Sequence, residues 1–344
     1  MSRHGRPHPS RRWRSSLLLR LLALLLLAAL SLGAALAWWL SRPLDLATPS
    51  VELSVEPGQT PREVAQAWVQ AGVQTRASWL YYWFRFSGDA RKLRAGSYEV
   101  HTGVTPISLL DKMVRGEEVL EQLRLIEGWT FAQVRQALAL APALKPSTAG
   151  MSEAELMAAL GRPGQHPEGR FFPDTYTYSR GVSDLTVLKR AHAAMQRRLD
   201  AAWAQRSADL PLKNAEEALI LASIVEKETG AAADRPLVAS VFVNRLRIGM
   251  PLQTDPTVIY GMGSSFDGNL RKRDLQTDTP YNTYTRRGLP PTPIAMPGQA
   301  ALQATLHPAR TRALYFVARG DGSSQFSEDL AAHNAAVNKY QRKQ

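Results

Sequence analysis

Two carboxylates, Glu226 and Glu228, stand at the end of an otherwise apolar run, Leu219-Ile-Leu-Ala-Ser-Ile-Val-Glu-Lys-Glu-Thr-Gly230. The run has no helix breaker before Gly230, which reads as a C-terminal cap. Glu228 then falls in the last turn, where the helix dipole opposes negative charge. At 100° per residue Glu228 shares a stripe with Leu221, Ile224 and Val225, and desolvation there raises a carboxyl pKa in the same direction as the dipole. A carboxylic acid that stays protonated near neutral pH is what general-acid chemistry requires. Glu226 points roughly the other way, towards Leu219 and Ala222, and apolar residues flank it too. Helical geometry therefore leaves the choice between the two acids open. The alternative is a solvated carboxylate, or one paired with Lys227 or Arg235, because structural ion pairs also perturb acids.

The acids must be held by a folded domain, and the 344 residues suffice for about two domains with accessories. Asp184 to Ala204, Ala215 to Thr229 and Arg235 to Ile248 carry apolar residues at helical spacing. After them, Gly and Pro divide residues 249 to 298 into loops rich in hydroxyls and amides, where sites are usually built. A hairpin, Leu314 to Ala318 and Gln325 to Glu328 around Gly320-Asp-Gly322, and a short helix close the chain.

Upstream a pattern repeats. Gly58-x-Thr60, Gly103-x-Thr105 and Gly128-x-Thr130 follow the strand-like runs Val51 to Val55, Ser97 to His101 and Glu121 to Glu127, and each precedes an amphipathic stretch. The threonines make good N-caps, and Glu63 completes a capping box with Thr60. Small strand-turn-helix units are expected here. Residues 140 to 169, rich in Ala, Pro, Gly and Ser, read as a boundary or flexible insertion.

Leu21 to Leu40 is a stretch of 20 uncharged, mostly apolar residues, enough at 1.5 Å each to cross a hydrocarbon core of about 30 Å. Arg3, Arg6, Arg11, Arg12, Arg14 and Arg20 precede it with no acid among them, and Trp38 and Trp39 stand at its far end. That pattern predicts one transmembrane helix with the basic N-terminus, residues 1–20, in the cytoplasm and the remainder exported. A cleavable signal peptide is the competitor, but the run is long for one and Trp-Trp-Leu-Ser-Arg is a poor cleavage site.

The net charge of +12 invites a nucleic-acid reading, yet seven arginines lie in residues 1–42, where topology explains them, and only +5 remains beyond. No nucleic-acid partner is expected. The absence of cysteine removes disulfide and thiolate chemistry. Seven scattered histidines show no ligand spacing, and no phosphate-binding or dinucleotide fingerprint is present, so neither metal nor cofactor is expected.

Three segments now stand together: Ala222 to Thr229, Asn244 to Gly261, and Tyr281-Asn-Thr-Tyr-Thr285 with Gly288-Leu-Pro-Pro291. In this order and spacing they resemble the endolytic murein transglycosylases of the MltG (YceG-like) family. Glu168-Gly-Arg-Phe-Phe-Pro-Asp-Thr-Tyr176, Glu127-Gly128, Leu314 to Ala318 and His333-Asn334 resemble it too. The resemblance implies that Glu228 is the catalytic acid, and so breaks the tie left by helical geometry. It further implies lytic cleavage of the β-1,4 bond between N-acetylmuramic acid and N-acetylglucosamine within peptidoglycan glycan strands. Gln253, Thr254, Asp255, Tyr281, Asn282 and Tyr284 are the candidates for the substrate cleft, because amide, hydroxyl and aromatic groups suit sugars. Each could instead tie the Pro-rich loops together. Glu226, Glu168 and Asp174 rank lower, as structural partners of Arg170, Arg245 or Arg247.

The fold expected is α+β: an N-terminal transmembrane helix (21–40), a linker (41–50), a LysM-like module (51–118), a connecting region (119–210) and a mainly helical, lysozyme-like catalytic domain (211–344). The LysM-like match is carried only by the first strand, the Pro57-Gly-Gln-Thr60 turn and the following helix. The implied setting is the cell inner membrane with the catalytic domain in the periplasm. There it would terminate glycan elongation beside partners in the peptidoglycan-synthesis machinery. A muramidase that lets water trap the intermediate, and a non-catalytic peptidoglycan-binding scaffold, are the competing functions.

Overall fold

The computed structural model describes residues 11–342, with side chains described from Leu19 onward. Arg3 and Arg6 of the expected cytoplasmic segment lie outside the described residues. The chain divides into two compact units, Met1–Leu120 and Glu121–Gln344. The architecture is mixed α and β, with helices and small two-stranded sheets.

The first unit begins with α1 (Arg11–Ser41), whose segment Leu19–Ser41 has a mean hydropathy of 2.4 and is exposed from Leu19 to Trp38. That segment is long and apolar enough to cross a membrane. β1 (Asp45–Leu46) pairs with β3 (Val73–Gln74), and β2 (Ser50–Val55) pairs antiparallel with β4 (Gly96–His101). α2 (Pro61–Ala71), α3 (Ala77–Phe86) and α4 (Pro106–Arg115) complete the unit. The expected strand-turn-helix units are present. Thr60 and Thr105 cap α2 and α4 through reciprocal bonds with Glu63 and Ser108, each satisfying amides that a helix start leaves unpaired. Trp68, Leu80, Phe84, Tyr98, Leu109 and Met113 form the buried centre, and the Trp68 indole donates to the Met113 sulfur at 3.3 Å.

In the second unit β5 (Leu120–Arg124) pairs with β6 (Thr175–Ser179). α5 (Phe131–Leu140) starts at Thr130, the third of the repeated caps, and α6 (Glu153–Ala159) at a Ser152–Glu155 capping box. The stretch 140–169 is built into this unit, not set apart from it. Leu144, Leu156 and Met157 enter its core, and Asp184 accepts from the Thr148 amide and hydroxyl, so polar staples order a composition that reads as a boundary or flexible insertion.

α7 (Asp184–Ala204), α8 (Ala215–Glu228) and α9 (Arg235–Arg247) follow, close to their expected limits. Asn214 caps α8 by accepting from the Glu217 amide at 2.9 Å. Every residue from Ala218 to Val225 is buried, as befits a helix apolar on all faces. α8 packs against α7, α9 and two later elements, α10 (Asp255–Met262) and α12 (Gln299–Leu306), while α11 (Lys272–Gln276) lies against α10. The expected hairpin is β7 (Tyr315–Ala318) with β8 (Ser324–Ser327), and α13 (Leu330–Tyr340) packs on it.

Candidate active site

α8 ends at Glu228 itself. Gly230 does not cap it in the left-handed conformation that the sequence suggests; Thr229 leaves the helix extended (φ −147°), and its hydroxyl accepts from the Ala231 amide at 3.0 Å. The two acids then part. Glu226 accepts from the Gly298 amide at 2.9 Å, and the Glu127 carboxylate fills the space that a Cβ at residue 298 would take. Glu228 turns instead to a cleft, half-buried, and its Oε1 accepts from the Thr254 hydroxyl. Neither pairs with Lys227, whose ammonium reaches the Gly128 carbonyl at 3.3 Å.

Burial pushes the Glu228 carboxyl up to about 6. The Thr254 bond opposes that shift, the Asp255 charge adds to it, and Arg245 opposes it. Glu228 thus holds its proton into the range where a general acid is useful.

Two loops deliver the groups around this acid. Gln253 sits at φ +50°, a left-handed conformation costly for a residue with a Cβ. The kink is held because the Gln253 amide donates to the Thr283 carbonyl and the Thr254 amide to the Thr283 hydroxyl, both at 3.0 Å. Along Gln253-Thr254-Asp255 the side chains are exposed, buried and exposed in turn, so Thr254 faces Glu228 while its neighbours face the cleft. Asp255 opens α10 and accepts from the Tyr284 hydroxyl at 2.6 Å.

The cleft, of about 710 Å³, is lined by Glu228, Gln253, Asp255 and Tyr284 from the predicted set, and also by Arg245, Tyr315, His333 and Asn334. Tyr281 and Asn282 are not among its lining residues. The Tyr281 hydroxyl is shared with Thr292 at 2.9 Å and its ring meets Tyr260 edge-on at 4.9 Å. Asn282 is fully buried: its Nδ2 is within 3.3 Å of the carbonyls of Asp274, Leu275 and Thr277, and its Oδ1 accepts from the Tyr284 amide at 2.9 Å. Its hydrogen-bonding capacity is spent on the loop that carries Tyr284.

Arg245, on α9, sends its buried guanidinium to the Leu314, Pro251 and Leu252 carbonyls at 2.7, 3.2 and 2.9 Å, and to Gln253 Oε1 at 3.3 Å. It therefore joins the loop beside Glu228 to the strand carrying Tyr315. Its Cζ stands 5.2 Å from the Tyr315 ring, which stacks on His333 at 5.1 Å. That stack gives the far wall an aromatic face. Nothing in local spacing relates α13 to α8, so the wall could be anticipated only from the Leu314 to Ala318 and His333-Asn334 motifs.

The lower-ranked acids do not pair with Arg170, Arg245 or Arg247. Glu168 is buried and accepts from the Phe131 amide at 3.0 Å and the Tyr260 hydroxyl at 3.1 Å. Asp174 lies 3.7 Å from Arg198. Arg170 pairs with Glu216 at 2.7 Å, and Arg247 donates to Asn244 Oδ1 and the Asp209 carbonyl.

The sequence profile of the YceG-like family matches residues 53–339. A Bacillus subtilis protein named endolytic murein transglycosylase is 30% identical over 311 residues, covering 85% of this chain and 85% of the relative. A Streptococcus pneumoniae protein of the same name is 26% identical over 324 residues, covering 83% of this chain but 58% of the relative. The crystal structure of a putative yceG-like protein from Listeria monocytogenes matches with a TM-score of 0.53 at 27% identity, covering 83% of this chain and 98% of that one.

Proposed function

The chain belongs to the YceG-like family, and from that premise we propose that it is a membrane-anchored endolytic lytic transglycosylase of peptidoglycan, with Glu228 as its catalytic acid and base. The observation that carries this reading is the position of Glu228: at the end of a helix buried from Ala218 to Val225, opening on a cleft of about 710 Å³, with its proton retained to about 6.

Protonated Glu228 donates to the glycosidic oxygen as the bond from C1 of N-acetylmuramic acid breaks. The leaving N-acetylglucosamine departs with a free 4-hydroxyl and an oxocarbenium-like centre develops at C1. The Glu228 carboxylate then takes the proton of the muramoyl C6 hydroxyl as that oxygen bonds C1 and closes a 1,6-anhydro ring. Glu228 ends protonated, and no water is consumed. One carboxyl used twice suffices, whereas glycosidases of the two-carboxylate type need a partner.

Gln253, Asp255 and Tyr284, with Arg245, Tyr315 and His333, form the sugar-facing walls; Thr254 orients the acid from behind. Residues 51–118 act as a LysM-like glycan contact, and the catalytic region is lysozyme-like in placing a helix-terminal Glu against the sugar. The exposed apolar α1 anchors the enzyme in the inner membrane with its N-terminus cytoplasmic. Cleavage then falls on nascent strands in the periplasm, beside the synthases that make them. Asp255, a second carboxylate in the same cleft, favours the hydrolytic alternative, in which water traps the intermediate.

The test is mass spectrometry of products from un-nicked glycan strands incubated with the full-length enzyme or Glu228→Gln. Internal fragments ending in 1,6-anhydromuramic acid are expected, with the variant slower by at least about 100-fold. Ends one water heavier would establish the hydrolase. No cleavage by folded wild-type enzyme would leave the binding-scaffold reading.

A further inference from the structure

α3 carries an apolar face that the core of the first unit does not use. Its inner side is conventional: Leu80 and Phe84 are buried against the Trp68 cluster. On the other side Trp79, Tyr82 and Phe86, spaced i, i+3 and i+7 along one stripe, are 47%, 55% and 77% exposed. Three neighbouring large aromatic residues held in water mark a surface with an occupant.

The stripe is continuous with the apolar helix. Trp79, Tyr82 and Phe86 line one groove of about 460 Å³ with Leu32 and Leu36 of α1. Trp39 joins the two elements, meeting Trp79 edge-on at 5.6 Å. At 1.5 Å rise per residue, Leu36 and Leu32 lie about 6 and 12 Å along the axis from Leu40, where the apolar run ends. Interfacial helices seat their apolar faces roughly 5–10 Å into the headgroup–acyl boundary. The α3 stripe therefore stands at the depth where such a face belongs. Its charges agree with that placement. α3 contains no acid, Arg85 lies in its last turn, and Arg76 and Arg42 stand 5.6 and 5.0 Å from the rings of Trp79 and Trp38, as cations do beside lipid phosphates.

We propose that α3 is a second membrane contact, with Trp79, Tyr82 and Phe86 embedded in the headgroup–acyl boundary of the bilayer that α1 crosses. This rests on the reading of α1 as a membrane-spanning anchor. Its consequence is that the first unit is seated on the membrane surface and does not swing on the short connection after Ser41.

The absence of cysteine makes the test direct. Single-cysteine variants Phe86→Cys, Leu30→Cys and Glu56→Cys of the full chain are labelled with nitrobenzoxadiazole and reconstituted in phosphatidylcholine–phosphatidylglycerol vesicles. Glu56, an exposed residue of the turn after β2 and outside both α1 and α3, is the reference label. At Phe86 the emission should be blue-shifted, quenching by lipid doxylated at carbon 5 should exceed that at Glu56 about threefold, and iodide quenching should fall about threefold. At Leu30, carbon-12 doxyl should quench most strongly, establishing the anchor independently. A Phe86 label matching Glu56 in emission and iodide access, with Leu30 deep, would overturn the α3 contact and leave the anchor standing. A blue-shifted Phe86 label insensitive to doxyl lipid would place a protein helix in the groove and also overturn it. A Leu30 label exposed to iodide would sink anchor and contact together.

Discussion

The Tyr284 hydroxyl donates to Asp255 Oδ1 at 2.6 Å, joining the loop after Asn282 to the first turn of α10 at the edge of the cleft. The bond matters for Glu228 because the Asp255 charge is one of the influences holding that acid's proton. In wild-type enzyme, activity should fall as pH rises through about 6, where Glu228 loses the proton it must donate. Asp255→Asn removes the charge while keeping an acceptor for Tyr284, and should move this alkaline limb down. Tyr284→Phe leaves the carboxylate less neutralised and should move it up. Opposite displacements in pH–rate profiles check the pair; parallel ones would mean that both residues act only by touching substrate.

Thr254 is the second control on the same proton. Its hydroxyl bond favours ionised Glu228, so Thr254→Val should raise the alkaline limb above about 6. The maximum rate should nevertheless drop by about tenfold, because one hydrogen bond to a charged group is worth roughly 1.5–3 kcal/mol and this one also fixes the carboxyl's direction. Thr254→Ser should restore both. The profiles of the three proteins, measured from pH 4.5 to 8 by product release, decide it.

Local physics made some of this legible in the sequence, and its reach explains the rest. Thr60, Thr105 and Thr130 announce their helices because a cap and its N3 partner are three residues apart. α7 and α8 announce themselves because a long apolar period has one solution. The acids resist the same treatment: Glu226 and Glu228 are alike on a helical wheel, and what separates them is the Gly298 amide and the Thr254 hydroxyl, neither a helical neighbour. β5 stops at Arg124, short of Glu127: past the Leu125 amide, which still meets the Asp174 carbonyl beside β6, the chain turns away and the Gly128 amide goes to the Met296 carbonyl. Asn282 looks like a sugar ligand by residue type, and only its three carbonyl partners reveal a loop staple.

Arg245 should prove a residue of stability first. Its guanidinium serves four acceptors on two different segments, a geometry that the single ammonium of lysine cannot reproduce. Arg245→Lys should lower unfolding stability by about 3 kcal/mol, read as a shift of the urea midpoint at constant slope. Any Arg245→Lys enzyme that folds keeps a cation near Glu228, so its alkaline limb should remain near 6 while the substrate KM rises through the displaced Tyr315 wall. An unchanged urea midpoint would refute the role.

Glu168 supplies a pH dependence of folding that is separate from catalysis. Burial raises its carboxyl to about 7, against an ordinary value of 4.5, despite the opposing bonds from the Phe131 amide and the Tyr260 hydroxyl. Below about pH 4.5 the group is protonated in folded and unfolded chains alike and contributes no dependence. Between 4.5 and 7 the unfolded chain ionises first, so the folded state holds more protons and stability falls as pH rises; above 7 the loss is complete and levels off. The loss should be on the order of 3 kcal/mol. In Glu168→Gln an amide oxygen still accepts from Phe131, the Tyr260 hydroxyl keeps a polar neighbour, and nothing titrates. The variant should lose the part of the slope between pH 4.5 and 7 that wild type owes to this carboxyl, while gaining relative stability at neutral pH. Urea midpoints of both proteins across pH 4 to 8 test the sign, and a difference between them that stays constant with pH would show that Glu168 binds its proton equally well in the folded and unfolded chains.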